Sequence, residues 1–303
     1  MTKIMIIGCG VVGQANGEGL AVKGHDIIYV DKDPRKIESL RQAGRSAYLD
    51  KEILHTGMSV DHDICLVCVS TPFVEDSSKI GFTDLSPLKS AIVTYSQWLR
   101  TTTIQNTDRG NDHSRLLVIR STVPPGTTKN VVLPLLELYS GMKVGQQLGL
   151  CVQPEFVRST SAPSDFLNAR ATIIGEFDKS SGDTLWNLFR EFGGRLIRTD
   201  LETAEFMKFI HNSFNATKIS FANEMWLLGK KIGVDANAAL RMAAETAEGF
   251  WNPKYGIRGG EPYSGRCLPK DLKAFLAFAK GHELVDMPLL SAVDSVNSCE
   301  SLR

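Results

Sequence analysis

A glycine-rich turn set between a short apolar run and a helical pattern constrains this chain more than any other feature. Lys3-Ile4-Met5-Ile6-Ile7 is a β-rich run, Gly8-Cys9-Gly10-Val11-Val12-Gly13 follows it, and the helical pattern continues to Lys23. Asp26–Asp31 then reads as a second strand ending on a carboxylate. A Gly-x-Gly-x-x-Gly in this setting, with an acidic residue about twenty positions further on, specifies a βαβ unit that holds a dinucleotide. Gly8 permits the tight turn, Gly10 lets the backbone approach a pyrophosphate, and Gly13 allows close helix packing. The phosphates meet the helix N-terminus at Val11 and Val12. Asp31 would accept bonds from the adenosine ribose hydroxyls and repel a 2′-phosphate, which points to NAD rather than NADP.

Strand and helix go on alternating. Asp63–Ser70 reads as a buried strand ending in Ser70-Thr71-Pro72. Leu116–Arg120 is another, ending in Ser121-Thr122-Val123-Pro124-Pro125-Gly126. Both place hydroxyls and a proline turn at a strand's carboxyl end, where open α/β sheets bind ligands. Leu150–Gln153 delivers Pro154-Glu155-Phe156-Val157-Arg158, so Glu155, fixed by the preceding proline, is a candidate base or substrate contact, with a solvated loop glutamate as the competing reading. Residues 76–84 and 101–114 are polar, turn-rich surface segments with no chemistry assigned. Ala171–Gly175 and Arg195–Thr199 are two last strands, with a helix over 182–192 between them.

Composition excludes several classes. Lysine plus arginine and aspartate plus glutamate each number 34, so nothing pulls the chain toward nucleic acid or an anionic membrane. The six cysteines are scattered rather than arranged as a disulfide framework, which suits a reducing, cytoplasmic setting. Cys65 and Cys68 form a C-x-x-C, but three positions apart on a strand they face opposite sides and cannot clamp one metal. No metal site is assigned. The apolar run near residue 4 reads as a first strand rather than a signal peptide, and no stretch approaches the roughly eighteen apolar residues of a membrane span.

From Leu201 the pattern turns helical. Phe206, Ile210, Phe214, Thr217, Phe221, Met225 and Leu228 recur at three- and four-residue intervals, giving one long amphipathic helix to about Lys231, most of whose stripe is expected to pack against either the first domain or a second subunit. Lys208 and Asn212, four apart, project from one face of it. Residues 234–247 form another helix, and a glycine- and proline-rich loop over 249–265 leads to Ser264-Gly265-Arg266-Cys267-Leu268-Pro269-Lys270-Asp271. Pro269 marks a turn into a helical pattern over 271–280, and 288–299 is a last helix. A cysteine at such a loop-to-helix junction, beside Lys270, is expected to titrate low and act as a nucleophile. Buried, inert packing is the competing reading for an isolated cysteine.

Taken in order, the Gly8-x-Gly10-x-x-Gly13 turn, Ser70-Thr71-Pro72, Ser121–Thr128, Pro154-Glu155-Phe156, Asn212–Glu224 and Cys267-x-Pro269-Lys270-Asp271 resemble the UDP-glucose/GDP-mannose dehydrogenase family. The resemblance implies an NAD-dependent, four-electron oxidation of a primary alcohol to a carboxylate. By position, Cys267 would capture the aldehyde left by the first hydride transfer, and the thiohemiacetal would then be oxidised to a thioester that water hydrolyses. Lys208 would stabilise oxyanions, Asn212 orient the substrate, Asp271 assist Lys208 and the water, and Glu155 and Thr122 position that water. Lys36, Ser70, Thr71, Pro72, Ser121, Thr122, Glu155 and Lys270 join the glycine turn and Asp31 as cofactor contacts. Phe156, Arg158, Arg258, Tyr263 and Gly265 join Glu155, Lys208 and Asn212 around a sugar or nucleotide-sugar substrate.

Where family members carry Gly-Phe-Gly-Gly before the cysteine, this chain has Pro262-Tyr263-Ser264-Gly265, and a family arginine is replaced by Trp251. Family members usually continue into a further nucleotide-fold domain, and this chain is expected to be a short member ending without it. The expected architecture is α/β: a Rossmann-type, doubly wound parallel sheet over residues 1–199, then an all-helical, 6-phosphogluconate-dehydrogenase-like domain over 200–303. A homodimer through the helix over 200–231 is expected. Two alternatives stay open: a two-electron dehydrogenase of the 3-hydroxyacid type, and a non-catalytic NAD-binding module or partial subunit that needs a partner.

Overall fold

The strands form because short, almost uninterrupted apolar runs bounded by glycine and polar turns can bury both faces at once, as parallel sheets require. In the computed structural model, which describes residues 1–55, 61–75, 81–105, 115–158, 161–281 and 285–299, ten strands are found among those residues. They are β1 (Lys3–Ile7), β2 (Asp26–Asp31), β3 (Ser46–Leu49), β4 (Ile64–Val67), β5 (Phe73–Val74), β6 (Phe82–Thr83), β7 (Leu116–Ile119), β8 (Gly149–Val152), β9 (Ala171–Glu176) and β10 (Arg195–Asp200). The main sheet runs β3-β2-β1-β4-β7-β8-β9-β10, while β5 and β6 make a separate antiparallel pair.

Every neighbouring pair from β3 to β8 is parallel. β9 then runs against β8, and β10 lies parallel to β9. The doubly wound sheet expected from the sequence is therefore present, extended by a reversed strand pair at one edge.

Side-chain alternation splits the core into two layers. Met5, Cys65, Val67, Leu117 and Ile119 face one way, against Leu88, Ile92, Trp98 and Leu136 of the helices Ser86–Gln105 and Leu133–Ser140. Ile4, Ile6, Leu66 and Val118 face the other way, against Leu20, Ile37, Leu185 and Phe189 of the helices Val11–Val22, Pro34–Gln42 and Lys179–Phe189. Cys65 belongs to the first layer and Cys68 to the second, as their spacing requires. Winding proceeds from β1 outward through β2 and β3, then returns to β4 on β1's other side. That reversal leaves a crevice at the carboxyl ends of β1 and β4.

Two local expectations need correction. The polar segment from Thr101 does not open as a loop, because the helix Ser86–Gln105 absorbs its first five residues. Thr101 and Thr102 donate their hydroxyls back to the carbonyl of Trp98, at 2.8 and 3.1 Å, which lets two threonines close a helix. Residues 106–114 of that segment, and 76–80 of the other, lie outside the described residues, and in the rest of the latter Phe82–Thr83 is a strand rather than a loop.

The chain divides into two compact units, Met1–Ile210 and His211–Arg303, with the division inside the long helix Leu201–Ile232. The helix's first turns belong to the sheet unit because Leu201, Ala204, Glu205 and Lys208 are buried there. The second unit is helical. It holds the rest of the long helix with Ala236–Thr246, Glu248–Trp251, Cys267–Gly281 and Pro288–Asn297. Its core gathers Leu228, Ala279, Met287 and Leu290, with Phe221 and Met225 packed against them. Glu224 is buried in this unit and accepts the N–H groups of Leu289 and Leu290 at 2.8 and 3.2 Å, capping the last helix.

The apolar stripe of the long helix is thus only partly core. Phe206, Ile210 and Phe214 are 56, 53 and 60% exposed, because the helix start buries a neighbouring face instead. Among the described residues, no helix is long and apolar enough to cross a membrane.

Candidate active site

The glycine turn after β1 has the geometry its spacing demanded. Gly8 has φ +98°, and a Cβ there would come within 2.7 Å of the Cys68 carbonyl group, so β1 and β4 can approach only with glycine at this position. A Cβ on Gly13 would stand 1.9 Å from the Gly8 carbonyl oxygen, which is why the helix Val11–Val22 can start flush against the turn. A Cβ on Gly10 would meet nothing within 4 Å. The backbone is open there, on the side where a pyrophosphate would lie against the helix N-terminus.

Asp31, at the end of β2, is buried and braces the turn. One carboxylate oxygen accepts the Cys9 N–H at 2.6 Å and the Lys36 ammonium at 3.2 Å, and the other accepts the Asp33 N–H at 2.9 Å. The residue expected to select the ribose is therefore also a structural anchor.

A cavity of about 420 Å3 occupies the crevice. Gly8, Gly10, Val11, Val12, Asp31, Lys36, Ser70, Thr71, Ser121, Thr122 and Glu155 all line it. Gly13 and Pro72 do not reach its wall. The two hydroxyl-bearing strand ends are stitched together beneath it. Ser121 Oγ donates to the Val69 carbonyl at 2.6 Å, and Thr71 Oγ1 donates to the Thr122 carbonyl at 2.5 Å.

Sequence reasoning missed the far wall, where Ser90, Ala91 and Thr94 present small side chains from one face of the helix Ser86–Gln105, with Tyr95 and Trp98 below. Their three- and four-residue spacing was the available signal.

Arg120 was also missed, although a lone cation closing the apolar run of β7 was visible. It is buried in the cavity wall, donates to Gln153 Oε1, and lies over the Phe166 ring at 5.8 Å. Burial lowers its pKa, countered by Cys68 and Glu155. Burial likewise pushes the Cys68 thiol up to about 12, against the opposing pull of Arg120.

Beside Glu155, Lys208 is buried in the first turns of the long helix. Its ammonium donates to the main-chain carbonyl of Glu155, stands 3.4 Å from the Glu155 carboxylate, and lies 5.2 Å from the centre of the Phe156 ring. Glu155 also accepts the Val157 N–H at 2.8 Å. Arg158 instead makes a two-pronged pair with Asp165, at 3.0 and 2.8 Å, and does not line the cavity.

The remaining predicted residues belong to the helical unit. Asn212 is exposed, with Oδ1 3.1 Å from His211 Nδ1. Cys267 is exposed and lies inside the helix Cys267–Gly281, so the helix begins four residues earlier than the pattern from Asp271 suggested. Proline is tolerated in a first turn, where its missing N–H has no partner to lose, so Pro269 does not delay the start. Asp271 follows Cys267 by one helical turn, and its carboxylate accepts from the Lys270 ammonium at 2.6 Å. Lys270, expected at the cofactor, is occupied by that pair. Arg258 is exposed, Gly265 has φ +88°, and Tyr263 accepts from Asn297 through its carbonyl at 3.1 Å. Among the described residues, no group of His, Cys, Asp and Glu is arranged to hold a metal ion.

The cavity's contents fit NAD: an open glycine turn at a helix N-terminus, an acidic residue at the end of β2, and hydroxyls at the ends of β4 and β7.

Comparison with known proteins agrees. The family model for the UDP-glucose/GDP-mannose dehydrogenase family, NAD binding domain, matches residues 2–193, and the model for that family's central domain matches 202–299. The chain is 34% identical over 315 residues to a GDP-mannose 6-dehydrogenase of Pseudomonas syringae pv. tomato, covering 98% of this chain and 68% of that one. It is 30% identical over 320 residues to a UDP-glucose 6-dehydrogenase of Haloferax volcanii, covering 96% and 69%. Among solved structures, the GDP-mannose dehydrogenase of Pseudomonas aeruginosa in a ternary complex superposes with a TM-score of 0.83 at 30% identity, covering 97% of this chain and 68% of that one. The UDP-glucose dehydrogenase of Pyrobaculum islandicum gives a TM-score of 0.70 at 26% identity, covering 98% and 68%.

Proposed function

The chain belongs to the UDP-glucose/GDP-mannose dehydrogenase family, and we propose that this NAD-dependent dehydrogenase oxidises the primary alcohol of a nucleotide sugar to a carboxylate in two successive two-electron steps. The observation that carries the reading is the convergence of the glycine turn, two hydroxyl-bearing strand ends, Glu155 and Arg120 on one cavity, with the buried Lys208 bound to Glu155. Residues 1–199 bind NAD in this reading, and 200–303 supply the helical part. Bound NAD supplies the hydride acceptor for each oxidation.

Each protein group has a task matched to its chemistry. Lys208, held out of water, offers a fixed positive charge to the alkoxide and to the later oxyanions, where such a charge acts most strongly. Glu155, touching that ammonium, takes the proton that leaves the substrate hydroxyl, directly or through water placed by Thr122. The Cys267 thiolate adds to the aldehyde carbon, giving a thiohemiacetal on the protein. Loss of a hydride from its carbon and a proton from its hydroxyl turns this into a thioester. Water then attacks the carbonyl, the C–S bond breaks, and the carboxylate leaves with the thiol restored. Asn212 and Asp271 orient the substrate and the water.

The long helix supports a homodimer through residues 200–231. Phe206, Ile210 and Phe214 form an exposed apolar row at four-residue spacing, the kind of face a second copy covers. A dimer mass by light scattering, lost on Phe214→Asp, tests this.

The deciding experiment counts NADH formed per molecule across UDP- and GDP-sugars. Two NADH from one nucleotide sugar support the reading. One NADH would place the chain among two-electron dehydrogenases. No turnover with NAD still bound would leave a binding module or a subunit that needs a partner.

A further inference from the structure

Glu205 stands one turn before Lys208 on the long helix and is 2% exposed, yet nothing in the chemistry above uses it. Its two carboxylate oxygens take different partners: one accepts the Gly126 N–H at 2.5 Å, the other the Thr128 N–H at 2.8 Å. Those groups belong to the turn that follows Ser121-Thr122 and to the start of the helical segment Thr128–Val132, where backbone N–H groups have no partner of their own. Gly126 has φ +85° in this turn, which Thr127 closes from within by donating its N–H and its hydroxyl to the Pro124 carbonyl at 3.1 and 2.6 Å, while the Gly126 and Thr128 N–H groups turn outward to Glu205.

We propose that Glu205 is a positioning residue: it clamps the Ser121–Thr128 loop to the helix turn that carries Lys208, and so sets the distance between Thr122 and the Lys208–Glu155 pair. The proposal rests on the dehydrogenase reading above. Thr122 is held from its other side by Thr71, which donates to its carbonyl. With Glu205 in place, the loop after β7 and the loop after β8 are both fastened to a single buried helical turn, one by the carboxylate and one by the Lys208 ammonium. Burial raises the Glu205 carboxyl above its ordinary range, and hydrogen bonding from Thr128 and then from Gly126 draws it back. A carboxylate that must be desolvated to reach two backbone donors is a costly device where a neutral side chain would fill the same space. It is explained if the two donors have to be held at once.

The test is Glu205→Gln in the full chain. The carboxamide keeps the volume but accepts only one of the two N–H groups and turns its own NH2 toward the other. The expected result is a loss in kcat of roughly tenfold or more, with NAD affinity falling by much less, because Ser121 and Thr122 lie on the loosened loop but the glycine turn and Asp31 are untouched. Glu205→Asp, which keeps the charge one methylene short of the loop, is expected to recover part of that loss. Unchanged kcat overturns the proposal, as does a fall in NAD affinity and folded fraction as large as the fall in kcat. If the wild-type protein forms no NADH from any nucleotide sugar, the dehydrogenase reading fails, and amide hydrogen exchange then judges the clamp. Faster exchange at Gly126 and Thr128 in Glu205→Gln, with β1 protection retained, supports it. Unaltered protection at both amides overturns it.

Discussion

The Lys208 ammonium donates to the main-chain carbonyl of Glu155 and stands 3.4 Å from that residue's carboxylate, while both side chains are largely buried, at 8 and 13% exposed. Removing one partner of a buried pair leaves the other's charge uncompensated. Lys208→Ala is therefore expected to lower kcat by roughly 10²–10³-fold and to leave NAD titration nearly unchanged. Lys208→Arg should not restore the rate, since a planar guanidinium cannot occupy the site of a compact ammonium. Steady-state rates beside a fluorescence titration with NAD separate the two effects.

Cys267 supplies a thiol to the second oxidation alone in the proposed chemistry. Cys267→Ser is expected to form one NADH per nucleotide sugar and stop at the aldehyde level, whereas the wild type forms two. Rapid mixing with excess enzyme, followed by product analysis, distinguishes this from a uniformly slow enzyme.

Two glycines of the same turn should fail differently. Gly13→Ala would drive a methyl to 1.9 Å from the Gly8 carbonyl oxygen and must displace the helix, at a cost of about 1–3 kcal/mol in stability. Gly10→Ala meets nothing within 4 Å, so it should cost about 1 kcal/mol or less. Its methyl would stand where a pyrophosphate approaches, weakening NAD binding by roughly tenfold or more, about 1.4 kcal/mol. Thermal melts paired with NAD titrations test the contrast.

Alkali should destabilise the fold through groups that burial keeps neutral. Cys68 and Tyr29 are both pushed up to about 12, from 9.0 and 10.0. Below pH 9 the folded and unfolded chains hold these protons equally. Between about 9 and 12 the unfolded chain releases them and the folded chain does not, so stability falls as pH rises. Denaturant midpoints measured from pH 8 to pH 11 should decline accordingly. At pH 8, iodoacetamide should label the exposed Cys267 and Cys299 in the native protein and spare the buried Cys9, Cys65, Cys68 and Cys151 until it unfolds.

Much of the cofactor wall was legible in the chain because its signals are local. Gly13 is dictated by a contact within its own turn and Gly8 by its φ of +98°, and the run Ile64–Val67 states by its own composition that both of its faces are buried. The start of the helix at Cys267 was misplaced because Pro269 reads as a break, although a first turn accepts it. The stripe of Phe206, Ile210 and Phe214 was legible as a helix face, but periodicity does not say what covers it.

The sequence by itself determined the βαβ start, the acidic end of β2, the hydroxyls at two strand ends and the change from alternating to helical pattern, because sterics and side-chain period act over a few neighbouring residues. Only the tertiary structure decided that Arg120 would answer Gln153, that Lys208 would settle on Glu155, and that Glu205 would hold amides 79 and 77 residues away. A buried polar group takes whichever partner the fold brings within hydrogen-bonding reach, and no local pattern encodes which distant backbone that will be.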